Sequence, residues 1–371
     1  MAVLALMSLL VSVGCGGSPT APGGAGQQAS DADASVTLSD LTAELEGLDP
    51  AARRQELIRI AKEEGGVVSF YGSTNPEDVD PVLAAFTKDT GIKVENYRAS
   101  TSDVLRRIQE EASAGHAGAD VVISGRAEYT QLRKSDLLAT YTTPVAEQIH
   151  DGGVQDDGID VYRVLRIVLW NTNRIPADQA PKTWEDVFEK YPGELILDPT
   201  DWDWFATFTK SYLMGRKGMT EQQALDYWKR VVKNAVVIKG HTLGTQLVTS
   251  GENAISAVNY QHGLPPEGAP VEWRPPMWPV IEDSTLISIL KNTRRPASAL
   301  LLTEYFLTDA QPILYEGGRS PANTTAPSAW PKEYDDLTVP IDHSLYEDEG
   351  EANRWIALYE EVLRGAGRAS K

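Results

Sequence analysis

Residues 65–95 read GGVVSFYGSTNPEDVDPVLAAFTKDTGIKVE. Val67 to Tyr71 is a short apolar run of the kind shown by a strand covered on both faces, and it ends on the polar turn Gly72-Ser73-Thr74-Asn75. Residues 81–90 carry helical spacing, and 93–97 read as a second strand. Strand, turn, helix and strand in one stretch make a right-handed βαβ unit, which sets the class as α/β with a mostly parallel sheet. Ligands of such sheets bind at the loops beyond the strand C-termini, so Ser73, Thr74 and Asn75 are candidate site residues.

Upstream, residues 49–64 form a helix stopped by Gly65-Gly66. Downstream, helix 102–114, strand 120–124 and helix 128–135 continue the alternation and add a second loop, Ser124-Gly125-Arg126. Another α/β pattern spans 166–276, with strands at 166–170, 194–197, 235–239 and 254–259. Between them lie helices at 184–190, from near Asp203, at 220–234 and at 243–250. Strand 286–291 and helix 297–307 resume the first pattern. The reading is a two-lobed protein: 41–165 plus 277–315 in one lobe, 166–276 plus 316–371 with C-terminal helices in the other. Crossovers near 162–170 and 271–280 join them as hinges.

The amino terminus has a different character. Residues 2–13, AVLALMSLLVSV, are one apolar run, too short for the roughly 18–20 residues of a membrane span and suited to a signal peptide over 1–14. Ser12-Val13-Gly14-Cys15 resembles a bacterial lipobox, with Ser12 where Leu is usual, so Cys15 is the expected lipidation site. Residues 16–35, GGSPTAPGGAGQQASDADAS, have the composition of a flexible tether, extending to about residue 40. Anchor, tether and body in that order place the protein outside the cytoplasm, held at a bacterial membrane.

Composition narrows the function. The 371 residues hold 34 Lys+Arg against 53 Asp+Glu, a formal charge of −19, which argues against nucleic acid as a partner. Cys15 is the single cysteine, so disulfide scaffolds, thiolate zinc and Fe–S centres are excluded. No Gly-x-Ser-x-Gly, His-Glu-x-x-His, P-loop or Gly-x-Gly-x-x-Gly is present, and the five histidines show no ligand spacing. The expectation is therefore no catalytic residues, no metal site and no cofactor, with a secreted hydrolase as the enzyme alternative. What remains are polar residues at element ends. Gly240-His241-Thr242 precede a helix, with Thr242 placed to cap it and the first-turn N–H groups placed to favour an anion. Trp204, amid Trp202, Asp201 and Asp203, suits a pocket wall. Arg126 offers a cation, and Asn259-Tyr260-Gln261-His262 end a strand with polar side chains.

These stretches carry a resemblance. GGVVSFYGSTNPEDVDPVLAAFTKDTGIKVE, ADVVISGRAEYTQLRKSDLLATY (119–141), KGHTLGTQLVTSGENAISAVNYQHG (239–263) and ASALLLTEYFLTDAQ (297–311) are similar to the solute-binding proteins of bacterial ABC importers. The likeness covers about 66–314 and lies with the type 2 periplasmic-binding fold, near its ferric-iron-binding branch. It implies two lobes that close over one solute and present it to a permease of the cytoplasmic membrane, with the receptor a monomer. At the branch's iron-ligand positions this chain has Asn75, Gly125, Gln261 and His262, and it has no Tyr-Tyr pair. Those are not the anionic oxygen donors that ferric iron wants. The branch's anion contacts map onto Asn259, His241 and Thr242, with Arg126 beside the missing acid. The expected ligand is a small polar solute, anionic or phosphoryl-like, with ferric iron or an iron chelate as the alternative.

Overall fold

Gly158–Asn171 and Val280–Ile289 are the longest strands of the computed structural model, which describes residues 37–274 and 276–369. They pair antiparallel and lie at the middle of a thirteen-stranded sheet. On one side, Val121–Gly125 pairs antiparallel with the later half of Val280–Ile289, and Val67–Gly72 and Lys93–Arg98 follow in parallel. On the other side, Arg166 to Trp170 pair antiparallel with Ile255–Tyr260, followed in parallel by Leu195–Leu197 and Val236–Val237. Each flank is thus a parallel α/β array, and both hang on two shared strands.

Two cores follow from this. The first gathers Val68, Phe70, Val82, Phe86 and Leu300 to Leu302 between the sheet and its helices. The helix Pro296–Leu307 is apolar on nearly every side, as a helix enclosed all round must be. The second core is aromatic: Trp184, Trp204, Phe205, Phe208, Trp228 and Trp355 interlock, with the Trp204 and Phe208 rings 5.0 Å apart. The helix Trp202–Phe208 runs on into the π-helical turn Thr209–Arg216.

Three differences from the sequence expectation bear on the plan of the two flanks. The second long connection is Val280–Ile289 rather than 271–280; Val271–Glu272 is a two-residue edge strand on Trp170 and Asn171. Proline and tryptophan crowd 273–279, and β pairing resumes only beyond them. The helix Leu38–Glu44 starts inside the stretch read as tether, closed by a Thr37–Asp40 capping box and fixed by buried Leu38 and Leu41. Ser320–Pro321 pair with Arg163 and Tyr162, and Ala322 packs in the first core, so 320–322 side with the first flank. The signal segment, Cys15 and the tether up to residue 36 lie outside the described residues.

Candidate functional site

Residues on a strand alternate between its faces. Along Gly158–Asn171 the alternation sends Tyr162, Val164 and Arg166 into a cavity of about 840 Å³, while Asp283 and Thr285 of the partner strand enter beside them. That size suits a small-molecule site. The floor is therefore made by the two strands common to both flanks, and the walls come from the helix starts of each.

From the first flank, Asn75 caps Pro76–Thr90 and makes no side-chain bond to the helix, because its Oδ1 accepts from Arg98 Nη2 at 3.1 Å. Ser100, Thr101 and Ser102 open Thr101–Ser113, and Gly125 precedes Arg126–Lys134. From the second flank, Gly240 caps His241–Ser250 at φ +112°, where glycine is tolerated; it brings no side chain to the first-turn N–H groups, and its own N–H donates to Asp198 Oδ2 at 2.6 Å. A helix start carries partial positive charge and unpaired donors, so the starts at Asn75 and Gly240 are suited to an anion. At Gly125 the position is taken internally: the Glu128 carboxylate turns back onto its own backbone N–H.

The charged side chains come mostly in pairs. Arg166, buried, grips Asp203 bidentately at 2.6 and 3.0 Å and reaches Asp283 at 2.8 Å. Burial pushes the Asp203 carboxyl up, but Arg166 outweighs it and holds Asp203 below the usual range. Arg126 donates to Asp160 at 3.0 Å and Ser284 at 3.1 Å. Arg319 meets Asp78 at 2.6 Å and lies over the Tyr162 ring. Exposed Lys239, by contrast, has no carboxylate within ion-pair distance among the described residues.

The two histidines of the wall behave oppositely. His241 Nε2 sits 2.9 Å from Asp201 Oδ1; burial disfavours its charge, yet the carboxylate wins and the imidazole keeps its proton to higher pH than usual. His262 is pushed down to about 3, by burial first and then by Arg319 and His241, so it is neutral in use. Tyr260 lies between them, its ring centroid 4.6 Å from His241 and 5.3 Å from His262.

Of the twelve ligand-site residues read from the sequence, nine line this cavity: Ser73, Thr74, Asn75, Ser124, Gly125, Arg126, His241, Tyr260 and His262. Three do not. Trp204 is fully buried in the aromatic core, one helical step round from cavity-facing Asp203. Thr242 is exposed in the first turn and caps nothing, since Gly240 is the cap. Asn259 is buried behind the wall; its Oδ1 accepts from Thr245 Oγ1 at 2.8 Å and its Nδ2 donates to Ser256 Oγ at 2.9 Å. Strand alternation requires this, because Tyr260 faces the cavity and its neighbour must face the helix behind. Arg126 is also corrected in role: it is a buried ion-pair member, not a spare cation. Sequence reading misses Arg166, Asp283, Glu128 and Arg319, and of the Trp–Asp cluster it names Trp204 as the site residue where Asp201 and Asp203 line the cavity. Arg166, the one charged residue in the apolar run 164–170, is a signal for the first of them.

A family model described as bacterial extracellular solute-binding protein matches residues 82–339. No curated protein matches the chain by sequence. Solved structures do match in fold. Iron-bound HitA from Pseudomonas aeruginosa superposes with a TM-score of 0.67 at 17% identity, covering 80% of this chain and 99% of its own. The periplasmic binding protein AfuA from Actinobacillus pleuropneumoniae, with fructose-6-phosphate bound, gives 0.65 at 21%, covering 80% and 98%. MotA from A. tumefaciens B6, in complex with glucopine, gives 0.61 at 16%, covering 80% and 99%. The architecture shared with them is the two-lobed type 2 periplasmic-binding fold.

Proposed function

Because the chain belongs to the bacterial extracellular solute-binding protein family, we propose that it is the receptor of an ABC importer for a small polar organic anion, of phosphoryl type. The observation that carries this reading is the pair of helix starts, at Asn75 and Gly240, that reach one cavity from opposite flanks without a side-chain cap. Hydroxyls of Ser73, Thr74, Ser100, Thr101 and Ser102 surround the first of them, and Lys239 and His241, whose proton Asp201 holds to higher pH than usual, stand by the second. Such donors suit phosphate oxygens. The solved structure with fructose-6-phosphate shows that this fold accommodates a ligand of that chemistry.

In operation the open form takes up the solute, bending of the two shared strands brings the helix starts onto it, and a membrane permease recognises the closed form. No bond is made or broken. HitA is iron-bound in its solved structure, but for ferric iron Asn75, Gly125, Gln261 and His262 offer no anionic oxygen donor here, and among the described residues no three His, Cys, Asp or Glu are grouped to hold a metal. Lipid attachment at Cys15 would keep the receptor beside its permease.

A thermal-shift screen tests the ligand class. Residues 37–371 are heated with sugar phosphates, phosphonates, organic acids, inorganic phosphate, polyamines, neutral sugars and ferric citrate. A ligand at ~100 times its Kd adds about 2.7 kcal/mol. Stabilisation by a phosphorylated or carboxylated compound is the expected result. Stabilisation only by polyamines or neutral sugars, or by ferric citrate but not by citrate alone, overturns the anionic reading.

A further inference from the structure

Beside the main cavity is a niche of about 10 Å³ whose wall includes Ser73, Thr101, Ile123, Ser124 and Glu128, all of which also line the cavity. Its remaining walls are apolar, among them Val104 and Leu132. The space admits one water-sized group and no more. Two features distinguish it. Ser124 is 5% exposed, and its Oγ has no hydrogen-bond partner. Glu128 has no cation within ion-pair distance among the described residues, although Arg126 and Arg166 stand nearby. Both of those arginines are committed to aspartates. A carboxylate there, held by its own backbone N–H but without a cation, is costly, and Asp283 and Asp203 add to the cost by repulsion. Burial first, then those two carboxylates, raise the Glu128 pKa.

Resting on the receptor reading above, we infer that this niche takes a primary ammonium group of the solute, with Glu128 as the residue that selects it. The ligand class narrows accordingly to a zwitterion: an anionic group on the helix starts and an amine in the niche. An ammonium head fits the space, neutralises Glu128 and gives the Ser124 oxygen a donor. A hydroxyl would fit as well but would leave the charge uncompensated. A bound water would do the same.

The test uses matched probes that differ only in the amine: glucosamine 6-phosphate against glucose 6-phosphate, and 2-aminoethylphosphonate against ethylphosphonate, titrated calorimetrically into residues 37–371. The expected result is that in at least one pair the amine compound binds tenfold or more tightly, and that Glu128→Gln brings the two members within threefold of each other. Ser124→Ala, which removes only the unpartnered oxygen, is expected to cut the same preference by threefold or more and stands in for Glu128→Gln should that variant not fold. Equal affinities within both pairs, or a preference that survives both substitutions, overturns the amine pocket while leaving the anionic reading intact. If the full screen shows no binding of any phosphorylated or carboxylated compound, both inferences fall together.

Discussion

At the residue scale, the site is a set of compensated charges with a few left over. Arg166 illustrates the rule: three acids, Asp201, Asp203 and Asp283, lie within 3.8 Å of its guanidinium, and a buried cation with such company has no charge to lend a ligand. Arg126 is the same case with Asp160. The sequence shows an arginine after a strand end, but its partner lies 34 residues on, and only the pairing of the shared strand with its neighbours brings the two together. Charge available to a ligand comes instead from helix starts, Lys239 and His241. The His241 proton is held by Asp201, and its pKa in the folded protein is raised. Below the ordinary imidazole value of about 6.5 the cation is present whether the chain is folded or not, and as pH rises through the raised value both its stabilising pair and its pull on an anion are lost. An anionic ligand should therefore bind more weakly as the pH rises through that raised value. Calorimetric Kd values across about pH 6 to 9 check this, with His241→Asn expected to flatten the curve. A wild-type curve that does not weaken over that range removes His241 from the binding field. His262, depressed to about 3, contributes no charge in the same window.

The elements are where the sequence is most legible. Buried strand, polar turn and helix repeat with little ambiguity at 67–90 and 119–134, and the helix ends carry recognisable caps, such as Ser100 and Thr183. Side-chain direction is harder. Four polar residues in a row at 259–262 look like one cluster, yet the strand's two-residue period divides them between cavity and interior. A helix has the same effect on Asp203 and Trp204, about 100° apart. Sequence places the start of the helix His241–Ser250 too late because Thr242 resembles a cap, whereas the true cap is a glycine whose role lies in its backbone. With φ at +112° and no atom within 4 Å of where a Cβ would stand, Gly240 is required for conformation and not for space. Gly240→Ala should cost about 1–3 kcal/mol by urea denaturation. It should also weaken the anionic ligand, because the loop can relieve the strain only by turning the first-turn N–H groups. A variant with unchanged stability and affinity would show that this cap conformation is dispensable.

At the scale of the whole molecule, the likeness to known structures reflects a plan that the chain's alternating pattern already implies: two α/β flanks and two connections. The position of the second connection does not show, because strand Val280–Ile289 follows a run rich in proline and tryptophan that masks where pairing resumes. Long-range pairings of this kind are tertiary facts, unlike local caps and periods. The apolar leader and Cys15 belong to this scale too, since they concern where the receptor works. Cys15→Ser expressed in a bacterial host is expected to move the protein from the membrane pellet to the soluble extracytoplasmic fraction. Continued pelleting of the variant would end the lipoprotein assignment.

The floor strand has a consequence for how such a receptor diverges. Tyr162, Val164 and Arg166 face the cavity only because of an odd–even count along one strand, while Leu165 and Ile167 fill the small core behind it. Loss or gain of a single codon between 162 and 166 would exchange the two sets, turning leucine toward the ligand and arginine into the interior. Lineages that change their cargo are therefore confined, along this strand, to point replacements. Length variation can accumulate only in the loops before the helices, and the record of such change should be sought there.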